Sequence, residues 1–415
     1  MSSQRYDVIV AGGGSAGVAA AIGAARAGAR TLLLERGPCL GGAATLRNVL
    51  TYCGIYTRED PPRQVVYGVA EEVIQQLRKV SAISDPTRFT SVAVVFDPES
   101  VKWVLDALCA SAGVDVRLLS QVVGARRDGD VITAIDVADH RGVHHYSGAA
   151  FVDATGEADL AAFAGAQVRY GNAGRVQNGT LGVRFGGIAA GAEVTRASMT
   201  AAITTAKLRG AAGPLYADRG LVARLPISGD VIAYVVDEDY DVRDPVSYGR
   251  AVTSSGRQAA AYLEVLRTIP GCADAYIVGT GPEFGTRESR HITGRYRLSS
   301  AEVLGSARFH DVVALGAWPI EYHPGRGKPP EWQFVTDDGY YDIPLRILQS
   351  ADVVNLLAAG RVVDGDQGAG GSLRAMGTAF ATGHAAGVAA ALLYRGPDPA
   401  AVQRELRRQG AFLGR

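Results

Sequence analysis

Cysteine is scarce. The 415 residues hold four, Cys39, Cys53, Cys109 and Cys272, with no C-x-x-C pair and no metal-ligand spacing. That argues against a zinc site and against a disulfide framework, so no metal is expected. Cys39 and Cys53 flank Gly41-Gly42, which leaves a redox thiol pair as a reading, although the spacing is not that of the short disulfide-reductase pair. Charge of one sign is not in excess either: Lys+Arg and Asp+Glu stand at 42 each, unlike a polybasic nucleic-acid binder or an acidic tail. Long apolar runs are missing, since the stretch from Ala19 to Ala25 is too short to span a membrane. No charged segment with an apolar core precedes the first strand motif, so no secretory signal is expected and a cytoplasmic location is. No internal repeat is visible. What is plentiful is core material, with 47% hydrophobic residues and a mean hydropathy of +0.06. The length calls for two packed substructures.

The chain is organised around Tyr6-Asp7-Val8-Ile9-Val10-Ala11-Gly12-Gly13-Gly14-Ser15-Ala16-Gly17, followed by alanine-rich residues to Ala27. Apolar residues lead into glycines and then small residues at helical spacing, which reads as strand, tight turn, helix. Gly12 permits the sharp turn, Gly14 the approach of a pyrophosphate, and Gly17 close packing of helix on strand. The free N–H groups of the helix start then face an anion. A second strand, Ala29 to Leu34, delivers Glu35 about 20 residues beyond the glycines, where an acid commonly binds a ribose hydroxyl. The bland alternative is a strand-helix turn without a ligand.

Next comes Arg36-Gly37-Pro38-Cys39-Leu40-Gly41-Gly42-Ala43-Ala44-Thr45, read either as a second close approach to a ligand or as a Gly-Pro turn. Residues 63–80 carry a helical stripe, and Asp97-Pro98-Glu99-Ser100 reads as a helix start. Strands are expected at Val114 to Leu119, Val131 to Val137, His144 to Tyr146 and Ala149 to Val152. The last of these ends in Asp153-Ala154-Thr155-Gly156-Glu157-Ala158-Asp159 at the carboxyl edge of a sheet, where ligands bind and where acids also cap helices. From about Ala166 to Leu345 the texture alternates at strand spacing (Thr180 to Phe185, Leu221 to Leu225, Val231 to Val235) around a helix at Ser254 to Thr268. The fold class is therefore α/β: a Rossmann-like cofactor-binding domain in two parts, 1–165 and 345–415, with an inserted sheet-rich α+β substrate domain at 166–344.

The densest polar cluster lies in the insert, from Gly285 to Arg297. Arg287 and Arg290 clamp a carboxylate together if that stretch is helical, with His291 beside them; pairing with acids across the domain interface is the alternative. Tyr322 and His323 form a second candidate for proton handling, set against a structural role. Near the C-terminus a strand at Val353 to Ala358 turns at Gly360 into a loop, Asp364 to Ser372, that opens a helix from about Leu373 to Leu393. Its positive end suits an electron-rich ring, and tight helix packing is the alternative.

These segments resemble, in order, those of FAD-dependent oxidoreductases near the fumarate reductase and succinate dehydrogenase flavoproteins, built on two dinucleotide-binding halves. They are V-I-V-A-G-G-G-S-A-G, C-L-G-G-A-A-T, F-D-P-E-S-V-K, D-A-T-G-E-A-D-L, G-T-R-E-S-R-H-I-T-G and G-S-L-R-A-M-G-T-A-F-A-T-G-H-A-A-G. The resemblance implies FAD. Gly12, Gly14, Ser15, Ala16 and Gly17 would meet its pyrophosphate, Glu35 and Arg36 its adenosine ribose, and Gly41, Gly42, Ala43 and Thr45 the flavin side. Asp153, Thr155 and Gly156 would support the adenosine, while Gly360, Asp364, Gly371, Ser372, Leu373 and Met376 would lie toward the ribityl chain and ring. Two departures stand out: Glu157 where the family commonly has Asp, and Gln367 where it commonly has a histidine. No histidine adjoins the glycine segments at Gly12 or Gly41, so the flavin is expected to be noncovalent.

The expected activity is that of an enzyme moving a hydride between a small polar substrate and the flavin. Oxygen or an unknown carrier would be the electron acceptor of such a dehydrogenase or oxidase. Arg287, Arg290 and His291 would position substrate, and Tyr322 or His323 would serve as acid or base. Alternatives are an NAD(P)H-fed reductase or monooxygenase, a flavin-assisted lyase or hydratase, and a non-catalytic FAD-binding partner protein. Neither nucleic acid nor a membrane is an expected partner, and a homo-oligomer is possible.

Overall fold

The computed structural model describes residues 4–211, 213–336, 339–393 and 398–414. Its central sheet holds five parallel strands in the order Asp115–Arg117, Thr31–Leu34, Gln4–Ala11, Gly142–Asp153 and Leu356–Ala358. Val10 lies opposite Leu33 on one side and Val152 on the other, and Val152 in turn opposite Leu357. Thr31–Leu34, Leu356–Ala358 and the carboxyl ends of Gln4–Ala11 and Gly142–Asp153 read as buried, largely apolar runs because both faces are covered. The strand Gly142–Asp153 does double duty. Along its first half it pairs antiparallel with Val131–Asp139, which pairs with Gln121–Asp128, so a meander hangs from the parallel sheet. The two segments expected at 144–146 and 149–152 are thus one strand.

Two helices of small residues, Ser15–Arg26 and Met376–Leu392, cross in the core. A Cβ at Gly383 would stand 2.0 Å from Ala16 O, and one at Gly387 1.9 Å from Ala20 O. Bare backbone meets backbone there. The expected helix at 373–393 is two helices, Gln367–Leu373 and Met376–Leu392, broken at Arg374-Ala375. Other boundaries differ as well: the 63–80 stripe is helical only over Val69–Lys79, because Gly68 takes φ +65° ahead of it. The helix expected from 254 starts at Pro245, capped by Asp244. Asp97 caps Pro98–Ser111 as its sequence indicates, accepting from Ser100 N at 2.8 Å.

Within 166–344, a four-stranded antiparallel sheet (Val222–Arg224, Val231–Glu238, Gly179–Gly186, Tyr276–Thr280) packs with helices Arg196–Leu208 and Pro245–Arg267 over a separate core running from Leu181 to Phe284. Buried residues from Ile292 to Leu348 instead join the first core. A hairpin, Ile320–Tyr322 with Glu331–Gln333, lies in this returning stretch. Among the described residues no helix is long and apolar enough to cross a membrane.

Candidate active site

The carboxyl ends of Gln4–Ala11 and Gly142–Asp153 meet where the strand order reverses, the crevice in which open α/β sheets bind ligands. Gly12 takes φ +97° as the chain leaves the strand, and a Cβ there would strike Ala154 O at 2.4 Å. A Cβ on Gly17 would lie 1.6 Å from Gly12 O. Gly14 differs. Its φ of −72° suits any residue, and the nearest atom to an added Cβ is Gly42 Cα at 3.8 Å. The protein alone leaves that space, and beside it Ser15 Oγ is buried without a hydrogen-bond partner. Room at Gly14 and an unanswered hydroxyl at the helix start fit a pyrophosphate. Ala16 packs against Gly360, whose φ is +75°.

Glu35 is buried. One carboxylate oxygen accepts from Gly13 N and the other from Gly37 N, each at 2.6 Å, which fixes the acid at the edge of the cradle. A shallow cleft opens here, lined by Gly12, Glu35, Arg36, Gln121, Thr155 and Asp159 among others. Arg36 is half-exposed and paired with Glu283 at 2.6 Å. Asp159, at the end of the segment expected at the sheet's carboxyl edge, lines the cleft too, as do Ser120 to Val122, which escaped the sequence reading. The signal for Ser120 to Val122 was their place just past the edge strand Asp115–Arg117.

The second glycine pair lies against the first. Gly41 N donates to Gly13 O at 2.9 Å, and a Cβ on Gly42, at φ +53°, would come within 2.9 Å of Gly14 Cα. Ala43 opens a one-turn helix behind them, while Thr45 turns inward to donate to Leu40 O at 2.7 Å. Asp153 is fully buried and holds its own turn, accepting from Thr155 N, Thr155 Oγ1 and Ala161 N. Burial pushes its carboxyl up to about 6 against those donors. Its part is to shape the turn that carries Thr155 and Gly156. Asp364 accepts from Gly294 N at 3.0 Å and pairs with Arg169 at 3.2 Å. Ser372 bonds to Trp318 O and to Tyr341 Oη, inside the packing. Leu373 and Met376 are buried beside it, and a Cβ at Gly371 would meet Glu321 O at 2.8 Å.

The arginine cluster does not form the expected helical pair. Residues 281–289 lack helix and Arg290 begins a short strand, Arg290–Ile292, so the two guanidiniums part. Arg290 reaches Glu157 O and, at 2.9 Å, Asp159. His291 is buried with Nδ1 3.0 Å from Val363 O and Nε2 3.4 Å from Glu288. Arg287 goes the other way, donating to Asn178 O and Oδ1 at 2.9 Å and standing 3.6 Å from Asp237 on the insert's sheet.

Arg287 lies within electrostatic reach of a second group. Glu321 accepts from Arg374 Nη2 at 3.0 Å, from Trp318 Nε1 at 3.1 Å, and meets His323 Nε2 at 3.1 Å. Burial opposes its charge, but Arg374, His323 and Arg287 hold the Glu321 carboxyl well below its usual range. Burial, with Arg287 next, pushes the His323 imidazole below its ordinary value despite Glu321. Arg374 Nε is buried with no partner. Tyr322 faces away, toward Gln367. Glu321 was missed in the sequence because it sits in neither a glycine turn nor a charge cluster, and Arg374, inside the glycine-rich segment from Gly371 to Gly387, was not singled out because its partner lies 53 residues away.

A family model described as FAD dependent oxidoreductase matches residues 7–408. The 3-oxosteroid 1-dehydrogenase of Mycobacterium tuberculosis is 26% identical over 113 residues, 25% of this chain and only 20% of that protein. Among solved structures, that of BexE, described in terms of oxidation during BE-7585A biosynthesis, aligns over 98% of this chain and 66% of its own at 17% identity, with a TM-score of 0.52. The flavin-dependent brominase Bmp2 aligns over 98% and 83% at 13% identity, with a TM-score of 0.51. Those two likenesses speak for the fold, and the family match speaks for the cofactor whose pyrophosphate the room at Gly14 admits: the chain is an enzyme of the FAD-dependent oxidoreductase family.

Proposed function

We propose that the protein is a dehydrogenase or oxidase that oxidises a small polar substrate carrying a carboxylate or similar anionic group. The observation that carries this reading is the polar junction between insert and cofactor domain: two guanidiniums, Arg287 and Arg374, beside Glu321 and His323, where Glu321 backs onto Gly371 of the helix Gln367–Leu373. Guanidinium groups bind carboxylates in a fixed, two-pronged geometry, and Arg374 Nε has a hydrogen still to give. FAD, with Gly12, Gly14, Ser15, Gly17, Glu35, Gly41 and Gly42 holding it, supplies the hydride acceptor. The protein's own groups orient the substrate and take its proton. A second nucleotide unit is not supported: the strand Tyr276–Thr280 runs into Gly281-Pro282 with no helix after it. The name of the mycobacterial relative, a dehydrogenase, agrees with this direction.

The test is spectroscopic. Purified protein is expected to be yellow, to stay oxidised under anaerobic NADPH and NADH, and to bleach with members of a panel of small 2-hydroxy acids. Bleaching by a nicotinamide at turnover rates would sink the proposal in favour of a reductase or monooxygenase.

A further inference from the structure

Glu321 and His323 stand two residues apart along an extended segment, the spacing that puts side chains on one face. Their contact, Oε1 to Nε2, measures 3.1 Å. An ionised carboxylate only accepts hydrogen bonds, and Arg374 keeps Glu321 ionised. The hydrogen between the two therefore belongs to Nε2. In a neutral imidazole this leaves Nδ1 with a bare lone pair, and Nδ1 has no hydrogen-bond partner among the described residues. The ring is anchored from behind as His323 N donates to Gln177 Oε1 at 3.1 Å. The charged or titratable groups around it are Glu321, Arg287 and Arg374, with Asp237 behind Arg287. Cys53 lies near Glu321 and Arg374, and burial pushes its thiol up to about 12, so it stays protonated.

We infer that His323 is the proton acceptor of the reaction, taking the substrate proton on Nδ1, and that Glu321 is the residue that positions it. The inference rests on the oxidative reading above. In the step assigned to it, a substrate O–H bond breaks, the electron pair stays on oxygen, and the proton forms Nδ1–H. The imidazolium so made keeps its Nε2–H on the Glu321 carboxylate, which offsets the new charge. Arg287 and Arg374 disfavour the same imidazolium in the resting site and so hold the ring ready to accept rather than already protonated. Tyr322 has no share in this, since its side chain is on the opposite face with Gln367.

The first measurement is the tautomer of His323 in ¹⁵N-labelled holoprotein, from long-range ¹H–¹⁵N spectra with His323→Gln for assignment. The expected ring at pH 7 is neutral with its hydrogen on Nε2, and Glu321→Gln, whose amide can donate, is expected to move that hydrogen toward Nδ1. The second is anaerobic flavin reduction by a 2-hydroxy acid that bleaches the wild type. His323→Gln should slow it by about 10²- to 10⁴-fold and remove the acid limb of the pH profile, with the bound FAD spectrum unchanged. Glu321→Gln should slow it in the same direction. A ring with its hydrogen on Nδ1, a ring protonated at pH 7, or His323→Gln within about threefold of wild type overturns the inference. If no 2-hydroxy acid reduces the wild type, the substrate reading fails, and the tautomer alone decides for or against the inference.

Discussion

Replacing Gly17 with alanine is expected to give a protein that purifies colourless and unfolds at markedly lower urea. The added Cβ falls 1.6 Å from Gly12 O and 2.8 Å from Gly12 C, and neither atom can swing aside because both are backbone of the turn. The helix Ser15–Arg26 must lift from the strand, at a cost of about 3 kcal/mol or more, and the N–H groups aimed at the pyrophosphate lift with it. Gly14→Ala is the informative partner. Its Cβ meets nothing closer than 3.8 Å in the protein, so urea unfolding of its apoprotein should match wild type to within about 0.5 kcal/mol. Its affinity for FAD, from fluorescence titration of apoprotein, should nevertheless fall by about 10- to 100-fold, the equivalent of 1–3 kcal/mol of overpacking. Equal loss of fold in both variants would show that the turn, and not the ligand, requires glycine at position 14.

The second large effect lies in the helix crossing. An alanine normally stabilises a helix relative to glycine by about 1 kcal/mol, and Gly256, exposed in the helix Pro245–Arg267 with nothing within 4 Å of its added Cβ, should follow that rule. At Gly383 and Gly387 the sign reverses. There the methyl would enter the backbone of Ala16 and Ala20, so each substitution should destabilise by about 3 kcal/mol, read as a lower urea midpoint and earlier release of flavin on heating. If Gly383→Ala and Gly256→Ala shifted the midpoint alike, the helices would not be in contact as described.

The cofactor half of the molecule was legible because its signals are local. Gly12 and Gly17 each answer a need within one turn, and Glu35 follows from the length of one helix and one strand. Asp97 and its helix were readable for the same reason. The polar residues of the insert were harder to read, because there the period of the chain mattered. Tyr322-His323 drew attention as neighbours, yet successive residues in an extended segment face opposite ways, and the side chains that meet are those of Glu321 and His323. Arg287 and Arg290 were joined by assuming helical spacing that the chain does not adopt. Arg374 could not be assigned at all, because its partner comes from a hairpin far away in sequence and only the folded chain joins them. The helices Arg196–Leu208 and Pro399–Arg408 went unnoticed, the first among alternating segments and the second beyond the glycine motifs.

The strand Gly142–Asp153 is flanked on its carboxyl side by Leu356–Ala358, which the ribosome makes only after the whole insert. Until then an apolar edge of the half-built sheet stays open, the kind of surface that invites mispairing during synthesis. The stretch from Leu181 to Phe284 has a core of its own and can close while that edge waits. Birth order therefore predicts that a chain arrested before Leu356 keeps that edge open whatever the state of the stretch from Leu181 to Phe284, and is the more prone to aggregate for it.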